Sequence, residues 1–245
     1  MLNIFKLYDV KAFPFSVLVG VLFFLGGYFA TKETNGSSEE FAMSCAVVLL
    51  SGILGLFFLS IQNKIIANKV IEKNFDEEPV SLIESVSAAK GNLLTVIGMT
   101  FILFLINTTV IPAIGTMAGG MFQVDIMDFE FNILTLVINL VLVSWYLIGL
   151  ASVSVIDATF LQTFSYTTEF FFDNFSKMIC FVFVTIFCSF LFSFVGVSLV
   201  DAPITMSIPI KCLVFIYLFG IINALSIYLF TNYANFEDEP EWDEE

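Results

Sequence analysis

Six segments of this chain each run for 20 residues or more without a charged side chain, and the shorter segments between them hold nearly all of the charges. A helix needs about 20 mainly apolar residues to cross the roughly 30 Å hydrocarbon core of a bilayer. All six segments reach that length, at residues 12–31, 41–63, 91–124, 131–156, 178–200 and 212–236. This pattern predicts an all-α, polytopic transmembrane bundle of six spans.

The spans leave little room for a soluble domain, because 58% of the 245 residues are hydrophobic. A transmembrane β-barrel would alternate apolar and polar residues along each strand, whereas a run such as Ile179–Phe194 is apolar on every side. We therefore expect a single transmembrane helical domain over residues 1–236. Its expected spans are approximately 12–31, 41–61, 92–112, 131–153, 178–200 and 210–230.

The lysines predict the orientation of the chain. If the amino terminus lies in the cytoplasm, seven of the nine lysines fall on the cytoplasmic side and only Lys32 and Lys211 fall outside. Basic residues in short loops are enriched on the cytoplasmic side of membrane proteins. We therefore expect both termini in the cytoplasm. The membrane that we expect is a prokaryotic cytoplasmic (inner) membrane.

The third uncharged segment is too long for one crossing and is interrupted by Pro112 and a cluster of glycines. We expect its helix to end near Pro112. Residues 113–123 then form either an outward-facing loop or a shallow re-entrant turn, which requires cover by protein or water at membrane depth.

Several segments on the cytoplasmic side have amphipathic patterns. In residues 61–71, isoleucine and valine occupy one helical face while Lys64, Asn68 and Lys69 occupy the other. Similar patterns precede the third span, at residues 82–90, and the fifth span, at residues 169–177. A helix of this kind lies in the plane of the membrane interface. The sequence therefore predicts short amphipathic interfacial helices on the cytoplasmic side.

Two short motifs stand at matching places before a span, Lys90–Leu94 (KGNLL) and Asn174–Met178 (NFSKM). They fit an internal repeat of lead-in helix, span, outer turn and span, over residues 81–156 and 167–230. In these motifs the chain resembles a family of six-helix prokaryotic membrane proteins of unknown role, related to the membrane domain of some glycerophosphodiester phosphodiesterases. Leu93 replaces the aromatic residue usual after the Gly-Asn of that family. The resemblance implies a fold and no activity.

The composition removes most chemistry from consideration. The chain contains no histidine, and so lacks the usual general base and the commonest metal ligand. The carboxylates at span edges are Asp157 and Asp201, which the expected topology places on opposite faces of the membrane. We expect a protein that is not an enzyme and that carries no cofactor and no metal.

Three asparagines lie inside the predicted spans and are candidates for intramembrane polar contacts. Asn139 and Asn223 are near mid-span, and Asn107 lies just before the expected end of the third helix. An amide in hydrocarbon must find a partner. These side chains either form hydrogen bonds between helices or line a path for a solute. Ser51 and Gly55, four residues apart, predict a seam where two helices approach closely.

The last nine residues contain seven acidic side chains and form a predicted acidic cytoplasmic tail, residues 237–245. The tail is either solvated, disordered charge or a docking peptide for a basic cytoplasmic partner, with Trp242 as its anchor. The residues of such a docking peptide are Glu237, Asp238, Glu239, Glu241, Trp242 and Asp243. Nucleic acid is not an expected partner, because the chain offers no cationic stripe for phosphates.

These features lead to a principal hypothesis and an alternative. The principal hypothesis is a non-enzymatic integral membrane subunit or scaffold, whose partners are the lipid bilayer and either other membrane subunits or further copies of the chain. The alternative is a small-solute or lipid transporter or pore, which the repeat, the interrupted third span and the mid-span asparagines favour.

Overall fold

The computed structural model describes residues 11–31, 38–75, 80–110, 129–199 and 204–234, and these residues are almost entirely helical with no strand among them. The α-helices are α1 (Phe13–Thr31), α2 (Ser38–Phe75), α3 (Leu82–Leu105), α4 (Phe129–Ile156), α5 (Phe160–Asp173), α6 (Phe175–Ser198) and α7 (Ile204–Tyr233). The prediction of an all-α fold is confirmed. The segment 113–123 and the acidic tail lie outside the described residues.

All of these helices except α5 contain a stretch long and apolar enough to cross a membrane, so six candidate spans are present in the described part of the chain. Each of the six spans expected from the sequence overlaps one of these helices. The six helices identify the chain as an integral membrane protein.

Helix α4 occupies the centre of the bundle. About 61% of its apolar stretch is buried inside the protein, compared with 44% for α7 and 17–22% for the other spans. It contacts α2, α3, α5, α6 and α7, while α1 packs on the outside against α2 and α7. Residues 146–154 of α4 are all buried, and small side chains among them, such as Gly149, Ala151 and Ser152, allow neighbours to approach from every side.

Two glycines allow α5 to pack closely on the bundle. A Cβ atom at Gly98 of α3 would lie 2.9 Å from the Phe160 ring of α5, and one at Gly149 of α4 would lie 2.5 Å from Met99 Cε and 3.3 Å from Thr167 Oγ1. Any larger side chain at either position would displace α5 or its neighbours. The Ser51 seam is also internal, since Ser51 Oγ lies 2.7 Å from the position of a Cβ on Gly26 of α1.

Helix α2 is much longer than a single crossing requires. Its 38 residues span about 57 Å at 1.5 Å per residue. The segment predicted to form an interfacial helix after the second span is a continuation of α2, and residues 61–67 are buried on all sides. The sequence predicts that Lys64 faces water, but the structure shows it buried. Its charge is compensated by Asp157, which lies beside it.

The start of α3 is set by a capping box. The Ser81 hydroxyl accepts a hydrogen bond from the Glu84 backbone N–H at 3.3 Å, and the Glu84 carboxylate accepts one from the Ser81 N–H at 2.8 Å. These bonds satisfy donors that a helix start leaves without partners. The predicted lead-in segment 82–90 is therefore the first part of α3 itself and not a separate helix.

A turn of π-helix, Ile106–Val110, follows α3 near the expected helix end at Pro112. Its polar side chains donate hydrogen bonds to carbonyl groups four residues earlier. Asn107 Nδ2 donates to the Leu103 carbonyl at 3.0 Å, and Thr108 Oγ1 donates to the Phe104 carbonyl at 2.8 Å.

The outer surface of α6 carries a stripe of phenylalanines. Phe183, Phe187, Phe190 and Phe194 follow each other at spacings of three or four residues, and each is 61–66% exposed. That spacing places them on one face of the helix. In an integral membrane protein this face is suited to contact with lipid.

Candidate functional site

Polar side chains from several helices meet around the buried part of α2. Three consecutive residues of α2, Gln62, Asn63 and Lys64, are all buried. Their neighbours on other helices complete a set that we call the polar cluster. The polar cluster consists of Gln62, Asn63 and Lys64 of α2, Asn92 of α3, Asp157 after α4 and Asn223 of α7.

An ion pair forms one half of the polar cluster. Lys64 Nζ donates to both carboxylate oxygens of Asp157 at 2.8 Å. The lysine side chain is only 11% exposed, whereas the aspartate side chain is 52% exposed. Lys64 is therefore the partner that depends on the pair, because a buried ammonium group without a counter-charge is strongly unfavourable.

Asn92 joins α3 to the same carboxylate. Its Nδ2 donates to Asp157 Oδ1 at 2.6 Å and to the Val153 carbonyl at 3.1 Å. The Val153 carbonyl belongs to the last turn of α4, where carbonyl groups have no partner within the helix. Asn92, on a neighbouring helix, thus supplies a hydrogen-bond donor to a carbonyl group at the carboxyl end of α4.

The backbone explains why Asp157 needs these partners. Its φ of 50° lies in the left-handed region, where helices commonly end, although glycine is the usual residue there. A carboxylate at this place also faces the negative end of the α4 dipole. The Lys64 ammonium offsets both the carboxylate charge and this dipole, which allows Asp157 to end α4 just before α5 begins.

The second half of the polar cluster joins α2 to α7. Asn223 Nδ2 donates to Asn63 Oδ1, and both residues are at most 1% exposed. The Ser226 hydroxyl donates to the Asn223 carbonyl at 2.7 Å on the same helix. Since Asn63 and Lys64 are adjacent, the two halves of the polar cluster share one turn of α2.

Some polar atoms in and beside the polar cluster have no hydrogen-bond partner among the described residues. The atoms without a partner are Gln62 Nε2 and Oε1, Ser60 Oγ and Asn223 Oδ1. Leaving a buried polar group without a partner costs about 1–3 kcal/mol. Each of these atoms is therefore unfavourable for the stability of the bundle.

The residues singled out from the sequence have three different environments. Asn223 bonds to another helix, Asn107 bonds to its own helix, and Asn139 has a buried Oδ1 without a partner among the described residues. Asp157 belongs to the polar cluster, whereas Asp201 and the acidic tail are outside the described residues. The structure therefore brings Asn223 and Asp157 to one site and leaves Asn107 and Asn139 apart from it.

Sequence reasoning missed Asn63, Lys64 and Asn92 as members of one site. The available signals were three consecutive polar residues in a long helix and the Gly-Asn of the KGNLL motif. Neither signal identifies a partner, because the partner residues lie between 65 and 160 positions away in the chain.

Within the described ranges, no group of three or more Cys, Asp or Glu side chains is close enough together to hold a metal ion. No family model, curated protein or solved structure matches this chain. The resemblance to the six-helix prokaryotic family stays a prediction.

Proposed function

We propose that the chain is a non-enzymatic integral membrane subunit or scaffold. The observation that carries this proposal is the polar cluster, in which Lys64, Asp157 and Asn92 join three helices and the Asn63–Asn223 bond adds a fourth. Hydrogen bonds between membrane helices stabilise a specific arrangement, because a buried polar group without a partner is energetically unfavourable. A helical bundle with such a fixed arrangement is suited to binding other proteins in the membrane.

The composition also supports a scaffold. The chain has no histidine, and its predicted spans account for most of its 245 residues. We place both termini in the cytoplasm on the basis of the lysine distribution. The resemblance to the six-helix prokaryotic family supports a prokaryotic cytoplasmic membrane. The expected partners are other membrane subunits or further copies of this chain, together with a basic cytoplasmic protein at the acidic tail.

We also propose that α5 is an interfacial helix with three distinct faces. Thr163, Thr167 and Phe170 are buried against the bundle. An exposed apolar stripe on one side includes Leu161 and Phe172, which are 78% and 71% exposed. The other side carries polar residues, among them Glu169 and Asp173. A helix that contacts protein, lipid and water at once is best accommodated at the membrane surface.

Labelling adjacent positions tests the placement of α5. Phe172→Cys and Asp173→Cys are introduced into a chain whose four native cysteines are replaced by alanine, and each is labelled with an environment-sensitive fluorophore in vesicles. The two positions are about 100° apart around the helix. We expect the label at 172 to be quenched by a lipid-attached quencher and the label at 173 by aqueous iodide. Equal quenching of both labels by iodide would contradict the proposal.

Cross-linking in native membranes tests the scaffold function. A tagged full-length chain is cross-linked before solubilisation and purified under denaturing conditions. We expect a defined cross-linked species that contains a second membrane protein or a second copy of the chain. A matched sample in which the membranes are dissolved in excess detergent before cross-linking controls for random collisions. A chain that remains monomeric and alone in both samples would rule out a scaffold.

The amide atoms of Gln62, which have no hydrogen-bond partner in the part of the chain that the structure describes, favour transport of a small polar solute as a second candidate function. A buried amide with free donors and an acceptor is able to bind a solute that passes between the helices. Glycerol flux into reconstituted vesicles separates the two functions. A transporter would show flux that falls in Gln62→Leu but not in the control Gln162→Leu on α5, whereas a scaffold would show none in any variant.

A further inference from the structure

The Asp157 carboxylate is held in place by contacts that do not involve Lys64. Asn92 Nδ2 donates to Asp157 Oδ1 at 2.6 Å and to the Val153 carbonyl at 3.1 Å. One amide group thus ties the carboxylate to the last turn of α4. The position of the carboxylate is therefore fixed from the α3 side, independently of the lysine on α2.

The backbone that follows Asp157 is fixed as well. Ala158 is only 5% exposed, and Thr159 begins the capping box of α5. The Thr159 N–H donates to Gln162 Oε1 at 3.0 Å, and the Thr163 N–H donates to the Thr159 carbonyl at 2.8 Å. The turn between α4 and α5 is therefore closed by its own hydrogen bonds, and Asp157 occupies a preformed position within it.

The charge at this position favours a cation. The carboxylate lies at the carboxyl end of α4, where the helix dipole also stabilises a positive charge. Lys64 Nζ lies 2.8 Å from each carboxylate oxygen and supplies that charge. Lys90 lies about 200° from Asn92 around α3, and so on the opposite face of that helix. The ammonium group that the structure places at the carboxylate is therefore that of Lys64.

The site has a buried side and a side that faces water. The Lys64 side chain is 11% exposed, so its aliphatic stem occupies space that the protein encloses. The Asp157 side chain is 52% exposed, so the carboxylate is reachable from solvent. The atoms that Lys64→Ala removes are Cγ, Cδ, Cε and Nζ, which together match the heavy atoms of n-propylammonium. A free ion of this shape therefore fits the space that the lysine leaves.

We propose that the carboxyl end of α4 is a binding site for a primary ammonium group, and that Lys64 is its built-in occupant. Asp157 accepts the hydrogen bonds of the ammonium group, and Asn92 orients the carboxylate. Because the occupant belongs to the chain, the packing of α2 against α4 requires no free cation. In the absence of Lys64 the site binds a free primary alkylammonium ion. This binding does not depend on the scaffold function.

Thermal unfolding of the full chain in a non-ionic detergent tests this proposal. The probe is n-propylammonium chloride, and tetramethylammonium chloride is the control salt because its cation has the same charge but no N–H donor. We expect propylammonium at about 0.1 M to raise the unfolding temperature of Lys64→Ala by about 3 °C more than tetramethylammonium does. The unmodified chain is expected to respond equally to both salts, because Lys64 fills the site. The double variant Lys64→Ala with Asp157→Asn is the matched control, and the two salts are expected to affect it equally.

Two results of the unfolding measurement would overturn the proposal. The first is an equal response of Lys64→Ala to both salts, which would mean that no ammonium site exists. The second is a propylammonium effect of the same size in the double variant, which would place the bound ion elsewhere. If Lys64→Ala cannot be purified without an added salt, the yield of folded chain in each salt replaces the unfolding temperature. A yield that is equal in the two salts, or zero in both, would contradict a preformed ammonium site.

Discussion

Asp157→Asn is expected to lower the free energy of unfolding by about 2 kcal/mol, because it leaves the Lys64 ammonium buried without a counter-charge. The expected loss is smaller than the roughly 3–5 kcal/mol of a fully buried pair, since the Asp157 side chain is 52% exposed. Asparagine retains the shape of aspartate and tolerates the left-handed backbone at this position, so the substitution removes mainly the charge. Reversible unfolding in mixed detergent micelles, with increasing fractions of SDS, measures the difference.

Two further variants show whether the ion pair is the cause. Asp173→Asn removes an exposed carboxylate at the end of α5 and is expected to change stability by less than about 0.5 kcal/mol. The double variant Lys64→Met with Asp157→Asn is expected to recover most of the lost stability, because an apolar side chain replaces the unpaired charge. A double variant as unstable as Asp157→Asn alone would assign the loss to another contact of Asp157.

Gly149→Leu is expected to destabilise the bundle by about 3 kcal/mol, the upper part of the range for overpacked cores. Its first side-chain atom would already lie 2.5 Å from Met99 Cε and 3.3 Å from Thr167 Oγ1, on the face of α4 that receives α5. The methionine end can move, but the rest of a leucine has to displace α5. The same unfolding measurement in SDS mixtures gives the magnitude.

A second glycine provides the matched control. A Cβ at Gly52 of α2 meets no atom of the described residues within 4 Å, so a leucine has space at this position. The helix propensity of leucine is more favourable than that of glycine by up to about 1 kcal/mol. We therefore expect Gly52→Leu to be neutral or slightly stabilising. If both leucine variants destabilised the protein equally, close packing of α5 on Gly149 would not explain the effect.

The two glycines show how far sequence reasoning reaches within the spans. Gly52 and Gly149 both lie in long apolar segments, and nothing in their immediate neighbours distinguishes them. One faces open space and the other faces α5, because burial depends on which helix faces lie together. Hydrophobic content predicts that a segment is helical, but a uniformly apolar segment contains no period that identifies its inward face.

The candidate site illustrates the same limit for polar residues. Asn223 stands out from the sequence because it is an isolated amide in an apolar segment. Lys64 does not stand out, since lysine at the end of a span normally extends toward water. Its burial follows from the position of Asp157, 93 residues later, and the length of α2 conceals how much of that helix lies within the bundle.

The amino-acid order alone determined that six apolar helices are present and approximately where they lie, because backbone groups in lipid are satisfied only within a helix or a closed barrel. The tertiary structure decided which helix is central, where α5 packs and which polar side chains meet. Those choices depend on contacts between residues far apart in the chain, and local hydrophobicity carries no information about such contacts.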